Sequence, residues 1–599
     1  MRSSELRLTT LVSMLIARSH GARRREPAQR SFAMRRSGFW VLFALLTSAP
    51  ATLAQPVITS INKDTLPRSG RLAIVGAGFG GRSESSRVEV DGVTAWFTTW
   101  TDTRIVAYVP ESADLGLARV RVIVNGQESN AVPLTVTARQ RDGRVKWTFE
   151  ADTNNMWFRP ALAPDGTLYL HTSQGFVYAL SPDGGLKWTQ QVNWSPYAPP
   201  AAGPDGALYV GSIWSVFAIS PEGQILWQFD DPDAQAVQIV PTPGPDGNLY
   251  GVFDPGDPGL GTYSLTTEGQ YRWNNIGNPP MFEYGGLGAE MRFGPSRRGG
   301  PVDQLYVGMD RRGDNQLYAF SLDGRQRWVI PVGPNSYAAQ PVIGRDGTVY
   351  STDFIARGYG WVIRGFDPAD GSEVLFYDGD FVSGVSYLSI GPDDMLYYVA
   401  DLSYLEALDP ASGSLRWSNF TDDVLDTPMV SPDGRTIIAA GVPTFGYPGF
   451  IKAFDAASGA EIWEVPLPGE FYPRPRWLGT HYPRFTPDSR TAYVSTVSIS
   501  GDNPDPHTFL YALDVAGDGG VNCDSITKFK AKCRSGKLRA KVKSSLPEGT
   551  ELTIETNGER KTMVIGRSGK GKVTFTGQFG RRTAVIVECP DRIAEVNCG

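Results

Sequence analysis

Cysteine and histidine are scarce in this chain, with four of each in 599 residues. Cys523, Cys533, Cys589 and Cys598 all fall within the last 77 residues, without a CxxC pair and without a nearby histidine: His20, His171, His481 and His507 lie elsewhere. That spacing disfavours a zinc site, and in an exported chain it reads as two disulfides, with three connectivities open. Beyond the N-terminal region there is no run of 18 or more apolar residues, so no membrane-spanning helix is expected in the mature chain. The net charge of -6 supplies no cationic surplus for nucleic acid. Neither G-x-S-x-G nor H-E-x-x-H nor a phosphate loop occurs, which removes the usual residue sets of several hydrolase and nucleotide chemistries. What is plentiful is glycine (67), proline (44) and aromatics (11%), the composition of a turn-rich all-β protein. The length exceeds what one core organises.

From Met34 the chain reads MRRSGFWVLFALLTSAPATLAQ: two arginines, an apolar stretch from Phe39 to Leu46, then small residues at Ala51 and Ala54. This is the order of a secretory signal peptide, and residues 1–54 are assigned to it and an upstream extension. No cysteine stands at the cleavage point, so the product is expected to be secreted or periplasmic and not a lipoprotein.

Residues 71–81, RLAIVGAGFGG, place Gly76, Gly78 and Gly81 in G-x-G-x-x-G spacing after an apolar strand. A dinucleotide site needs a helix next, whose N-terminus would hold the pyrophosphate. The residues that follow alternate in period two (Val88, Val90; Ala95, Phe97) and turn at Asp91-Gly92, so strands are expected and the cofactor reading fails. The stretch PVITSINKDTLPRSGRLAIVGAGFG, the strand RVEVDGVTA, the segment TDTRIVAYVP and the closing VRVIVNGQESNAVPLTV together resemble the IPT/TIG family of immunoglobulin-like domains. The resemblance implies a β-sandwich over 55–139 acting as a spacer or contact module.

The middle of the chain repeats. A tryptophan follows a glycine by four residues at Trp147, Trp188, Trp227, Trp273, Trp328, Trp417 and Trp463, and Leu375 takes the same slot after Gly371. Between these markers come turn-plus-strand strings such as PDGTLY at 164, PDGALY at 204, PDGNLY at 245, RDGTVY at 345 and PDSRTAYV at 487. Each unit closes on a string such as VYAL, VFAI, LYAF, IKAFD or LYALD. The three markers each count eight. Four short strands per unit, separated by Asp-Gly turns, cannot bury both faces alone, so neighbouring sheets stack radially into an eight-bladed β-propeller over 140–517. The tryptophans are expected to dock between blades. Trp147 precedes the first unit and no tryptophan follows Leu513, so the strand near Trp147 is expected to complete the last blade.

The strings ALDPASGSLRW (407–417) and AFDAASGAEIW (453–463) resemble the tryptophan-docking motif of quinoprotein (PQQ) propellers. Enzymes of that family imply a vicinal disulfide over the quinone, calcium held by Glu and Asn, and a catalytic Asp. Here no two cysteines are adjacent and none lies in the array. PQQ and calcium are therefore disfavoured, no cofactor is expected, and catalytic residues are assigned nowhere. Related propellers without these parts, such as the outer-membrane assembly lipoprotein, bind proteins.

Residues 518–599 form a third, Cys-containing β-sandwich-like domain. In it Leu538, Ala540 and Val542 alternate with Lys537, Arg539, Lys541 and Lys543, and Lys528, Lys530, Lys532 and Arg534 precede them. One strand face is thus charged and the other apolar. The charged face is read as solvated, with an anion-binding strip for polysaccharide or lipid headgroups as the sharper alternative. The junction LDVAGDGGVNCDS resembles a dockerin-type calcium loop, but Ala516 and Ser525 stand where ligands belong, so it is read as a linker turn with no metal.

The function expected from these features is a non-catalytic exported propeller that binds a protein or a polysaccharide at or outside the cell surface. The alternatives are a divergent quinone-dependent or glycan-active enzyme and a structural display protein. Ligand-binding residues are expected on the loops leading into each innermost strand: Trp157, Arg159, Tyr197, Gln238, Arg292, Tyr337, Tyr387, Asp426, Arg474, Arg476 and His481.

Overall fold

The computed structural model describes residues 55–599 except Glu84 and Gly599 and the segments 140–143, 153–159, 193–198, 213–214, 231–240, 254–260, 277–290, 310–315, 333–339, 356–359, 382–383, 444–448, 468–470, 473–482, 499–506, 516–525, 547–549, 557–558 and 587–588, and Ser173. The N-terminal leader assigned above lies outside them, as does the dockerin-like loop beyond Val515. All regular structure among the described residues is β, and no helix there is long and apolar enough to cross a membrane.

The first domain is two sheets face to face. One runs Val57–Ile61, Arg71–Ala77, Arg104–Tyr108, Phe97–Trp100; the other is built on Thr65–Pro67, Val132–Thr137, Gly116–Val124, Arg87–Val90 and Val93–Ala95. The alternating valines supply its core, with Val88, Val90, Val120 and Val122 buried beside Leu72, Ile74 and Phe79. The glycines of the dinucleotide-like string serve packing instead. A Cβ at Gly76 would collide with the Val57 carbonyl and the Phe79 ring, and Gly78 sits at φ 74°.

The repeat array forms antiparallel sheets on one plan. In the first, a two-residue innermost strand (Ala161–Leu162) is followed by Leu168–His171, Phe176–Leu180 and the outermost Leu186–Gln191. The plan recurs from innermost strands Ala201–Ala202, Thr242–Pro243, Arg292–Pro295, Val342–Ile343 and Ser389–Ile390. In a further sheet both Asp423–Leu425 and Met429–Val430 pair with Thr436–Pro443. The last joins Arg484–Phe485, Thr491–Ser495 and Thr508–Asp514 to Val145–Ala151, a strand from the start of the array. Residues from opposite ends of the array therefore share one sheet.

The tryptophans explain how adjacent sheets hold together. All but Trp463 pack on the tyrosine of their own sheet's second strand, among them Tyr169 with Trp188, Tyr306 with Trp328, Tyr397 with Trp417, and Tyr493 with Trp147 across the closing sheet. The far face of each of these meets a glycine of the next sheet. A Cβ at Gly184 would stand 2.6 Å from Trp147, and one at Gly223 2.7 Å from Trp188. Both glycines hold positive φ, so sterics and backbone demand glycine together. The indole Nε1 then donates to a carbonyl of that neighbouring turn: Trp147 to Pro182, Trp188 to Pro221, Trp328 to Pro368 and Trp417 to Ala456, at 2.8–3.1 Å. Gly184, Gly223, Gly269, Gly324 and Gly459, each four residues before a tryptophan, thus contact the tryptophan of the preceding repeat, not their own.

At the seam this device changes. Trp463 faces the closing sheet, whose outer two strands come from distant parts of the chain. Its Nε1 has no acceptor among the described residues, and the Arg144 guanidinium lies 5.8 Å from its ring instead.

The C-terminal domain pairs a three-stranded sheet (Ile526–Arg534, Lys537–Ser544, Lys570–Phe575) with a four-stranded one (Glu559–Val564, Glu551–Thr556, Gly580–Ile586, Cys589–Cys598). Strand Lys537–Ser544 alternates exposed and buried without a break, sending Leu538, Ala540 and Val542 into a core shared with Leu552, Ile554 and Ile586. Cys533 is bonded to Cys598, tying the two sheets together across 65 residues. Cys589 is also disulfide-bonded, and Cys523 lies outside the described residues.

Candidate channel-mouth site

Every innermost strand except Arg292–Pro295, which turns through residues 296–300, ends in a Pro-Asp-Gly-type turn whose geometry follows from its residues. The aspartate Oδ1 accepts the backbone N–H two positions on, from Thr167 to Asp165 and from Thr348 to Asp346, both at 2.9 Å. Glycine follows in the left-handed region, at φ 84° for Gly166 and 95° for Gly347. Where glycine is replaced, the side chain reaches the adjacent turn: Asp394 (φ 65°) accepts from Arg345 N at 2.8 Å, and Ser489 (φ 59°) from Asp433 N at 3.0 Å. The turns thus form a linked collar at one end of the innermost strands.

Against this collar lies a groove of about 960 Å³ bordered by turn residues of four sheets. Pro164, Pro182, Pro392, Pro432, Pro483 and Pro487 rim it, with Met429, Phe485 and Tyr493 as further apolar surface and Asp165, Arg484 and Asp488 as charge. A backbone hydrogen bond from Thr167 holds the Asp165 carboxyl below the usual carboxylate range. At Asp488 burial works in the opposite sense but is outweighed by hydrogen bonds from the Thr486 hydroxyl and Arg490 N–H, so this carboxyl is also depressed. Burial, with Asp488 adding to it, pushes the Tyr493 phenol up to about 12. Both carboxylates are charged at neutral pH and the phenol is a neutral donor.

Within the channel a smaller cavity of about 180 Å³ is bordered by Arg292, Gln340, Val342, Leu388, Ser389, Ile390, Met429 and Val430. Of the residues expected on the approach loops, Arg292 faces this cavity. Tyr387 and Asp426 are partly buried just before innermost strands and do not border it. The Asp426 carboxylate accepts from Thr427 N at 2.6 Å, a local turn role. Trp157, Arg159, Tyr197, Gln238, Tyr337, Arg474, Arg476 and His481 lie outside the described residues. Gln340, Ser389 and Met429 were not singled out by sequence, although a signal existed. The innermost strand ends two residues before each Pro-Asp turn, so counting back from the proline finds Ser389-Ile390 and Met429-Val430 directly.

The described residues that border this cavity include one guanidinium and one amide and no carboxylate. Among the described residues no group of three or more His, Cys, Asp or Glu is placed to hold a metal ion.

A model of the IPT/TIG domain matches residues 56–137, and a model described as outer membrane protein assembly factor BamB matches residues 401–496. No curated protein matches the chain in sequence. Among solved structures the chain is similar to BamB from Moraxella catarrhalis (12% identity, TM-score 0.42, covering 62% of this chain and 99% of that one). It is similar also to Sqt1 from Saccharomyces cerevisiae (10%, 0.44, 61% and 98%). A third is the Dos1 propeller (13%, 0.45, 62% and 95%).

Proposed function

We propose that this chain, an IPT/TIG domain joined to a quinoprotein-like β-propeller, is an exported, non-catalytic binding or scaffold protein. Its propeller has eight blades and recognises a protein or a glycan through one face. The eight-blade count is supported by eight sheets on a common plan among the described residues, matching the three repeat markers. Export is supported by the segment from Met34 and by a disulfide in the last domain.

The observation that carries the binding reading is the proline-rimmed groove. Proline turns are rigid, so a partner docks without an ordering cost on this side, and the wide apolar surface with fixed carboxylates at its edge suits an extended polypeptide. The match to an assembly-factor model over 401–496 favours a protein partner over a glycan.

The test screens the full mature chain against peptide and glycan arrays, then repeats the leading hit with two variants. Met429→Glu places a charge in the collar groove. Trp157→Ala with Arg159→Ala and Tyr337→Ala alters the segments that lead in sequence into innermost strands. A tenfold or greater loss in either variant, with an unchanged melting temperature, supports recognition through a propeller face. Normal binding by both overturns it. Dye reduction that depends on added quinone and calcium would replace the non-catalytic reading with a divergent oxidoreductase.

A further inference from the structure

The three-stranded sheet of the C-terminal domain carries a ladder of like charges. In its register Lys528 stands opposite Lys543, Lys530 opposite Lys541, Lys532 opposite Arg539 and Arg534 opposite Lys537. The third strand extends it, with Lys572 opposite Lys541 and Lys570 opposite Lys543. All ten side chains are exposed on the face away from the core. Like charges directly opposite one another destabilise a sheet, so this arrangement works against folding in the absence of a counter-charge. Among the described residues none of the ten cations forms an ion pair, while Glu559 pairs with Lys561 and Glu595 with Arg581.

The same ten cations border a single groove, together with Ser535, Val564 and Gly571 among others, and among the described residues no acidic side chain borders it. Cations recur about 7 Å apart along each strand and about 5 Å apart between strands. The surface is concave and runs with the strands. Its described residues include no aromatic ring, the stacking platform on which single-stranded nucleic acid depends. An elongated polyanion without stacking bases fits this surface.

We propose that this face is a binding site for a linear acidic polysaccharide, with the cations contacting successive carboxylate or sulfate groups along the chain. The site is separate from the propeller mouth, so its failure leaves the function proposed above untouched.

The experiment measures binding of the full mature chain to polygalacturonate and to dextran sulfate between 50 and 200 mM salt. The variant Lys530→Ala/Lys541→Ala/Lys572→Ala removes the centre of the ladder, and Arg581→Ala serves as a control on the opposite sheet. The expected results are at least a tenfold loss for the triple variant, a fall of about 2 in the slope of log affinity against log salt, and no change for the control. A parallel melt guards against misfolding: removing like charges should leave the melting temperature equal or higher. Equal binding by triple variant and wild type overturns the proposal. So does tighter binding to phosphatidylglycerol vesicles or to single-stranded DNA than to either polysaccharide. The two polysaccharides separate carboxylate from sulfate as the preferred anion, and binding of either supports the site.

Discussion

Arg71 of the IPT/TIG domain and Asp152 of the propeller form an ion pair of 2.9 Å in which both side chains are buried, at 0% and 3% exposure. The second Asp152 oxygen accepts from the Thr98 and Thr99 hydroxyls, and the Asp152 N–H donates to the Tyr108 phenol. Tyr108 itself packs into the core between the closing and first sheets, against Phe149 and Tyr178. Ser69 accepts from Leu186 N at 2.8 Å on the same front. The first domain is therefore docked on the propeller, not tethered to it.

Removing one member of such a pair strands the other. Asp152→Ala is expected to cost about 3–5 kcal/mol, whereas Arg71→Met with Asp152→Leu should recover most of it by trading the pair for packed apolar groups. Denaturant unfolding of the full chain measures both, and a double variant no better than the single one would refute the account.

Trp417→Ala and Trp463→Ala should each destabilise by about 3–5 kcal/mol, since each deletes a large aromatic from a between-sheet core. Gly459→Ala should act on the same contact from the other side, because its Cβ would stand 2.6 Å from Trp417 and its φ is 72°. Thermal melts of the three variants check this, and an unchanged midpoint in any of them would count against interlocking.

Stability should fall in acid. Asp165 and Asp488 are depressed in the fold relative to about 3.9 in an unfolded chain. Their stabilising effect is thus complete above about pH 4 and is lost as the pH drops through the folded values. Asp165→Asn and Asp488→Asn together should flatten the melting-temperature profile between pH 5 and 2, and a profile as steep as wild type would contradict it.

The Cys533–Cys598 bond closes a 65-residue loop, worth about 4 kcal/mol in chain entropy. Cys533→Ser should lower the stability of the C-terminal domain by an amount of that order. Thiol titration of unfolded, unreduced wild type should find no free thiol, and two or more would refute full oxidation.

Local pattern carried much of this architecture. The Pro-Asp-Gly strings mark turns because aspartate and glycine meet distinct backbone needs there, and the period of two in Lys537–Ser544 translates into an exposed and a buried face. The inter-repeat tryptophan contacts were legible only as a spacing. Gly184 and Trp188 lie four apart in sequence, yet each serves a different interface. The Arg71–Asp152 dock was not legible, because partners 81 residues apart and unremarkable in composition become a pair only through tertiary geometry. At the mouth, aromatic and charged content pointed to the approach loops, most of whose singled-out residues lie outside the described ones, whereas the place of Met429 is set by the register of an innermost strand.

The sheet that unites Val145–Ala151 with Thr508–Asp514 also sets a timetable. Synthesis delivers the first of these strands early, already joined to the docked IPT/TIG domain, and the second only after every other repeat has emerged. Until then Val145–Ala151 presents an unpaired edge, open to pairing with another chain. Its final partner is a contact of very long loop, the slowest kind to form. The docked domain lies next to that edge, and a nascent chain cut short before Thr508 would keep the edge bare and be prone to aggregate.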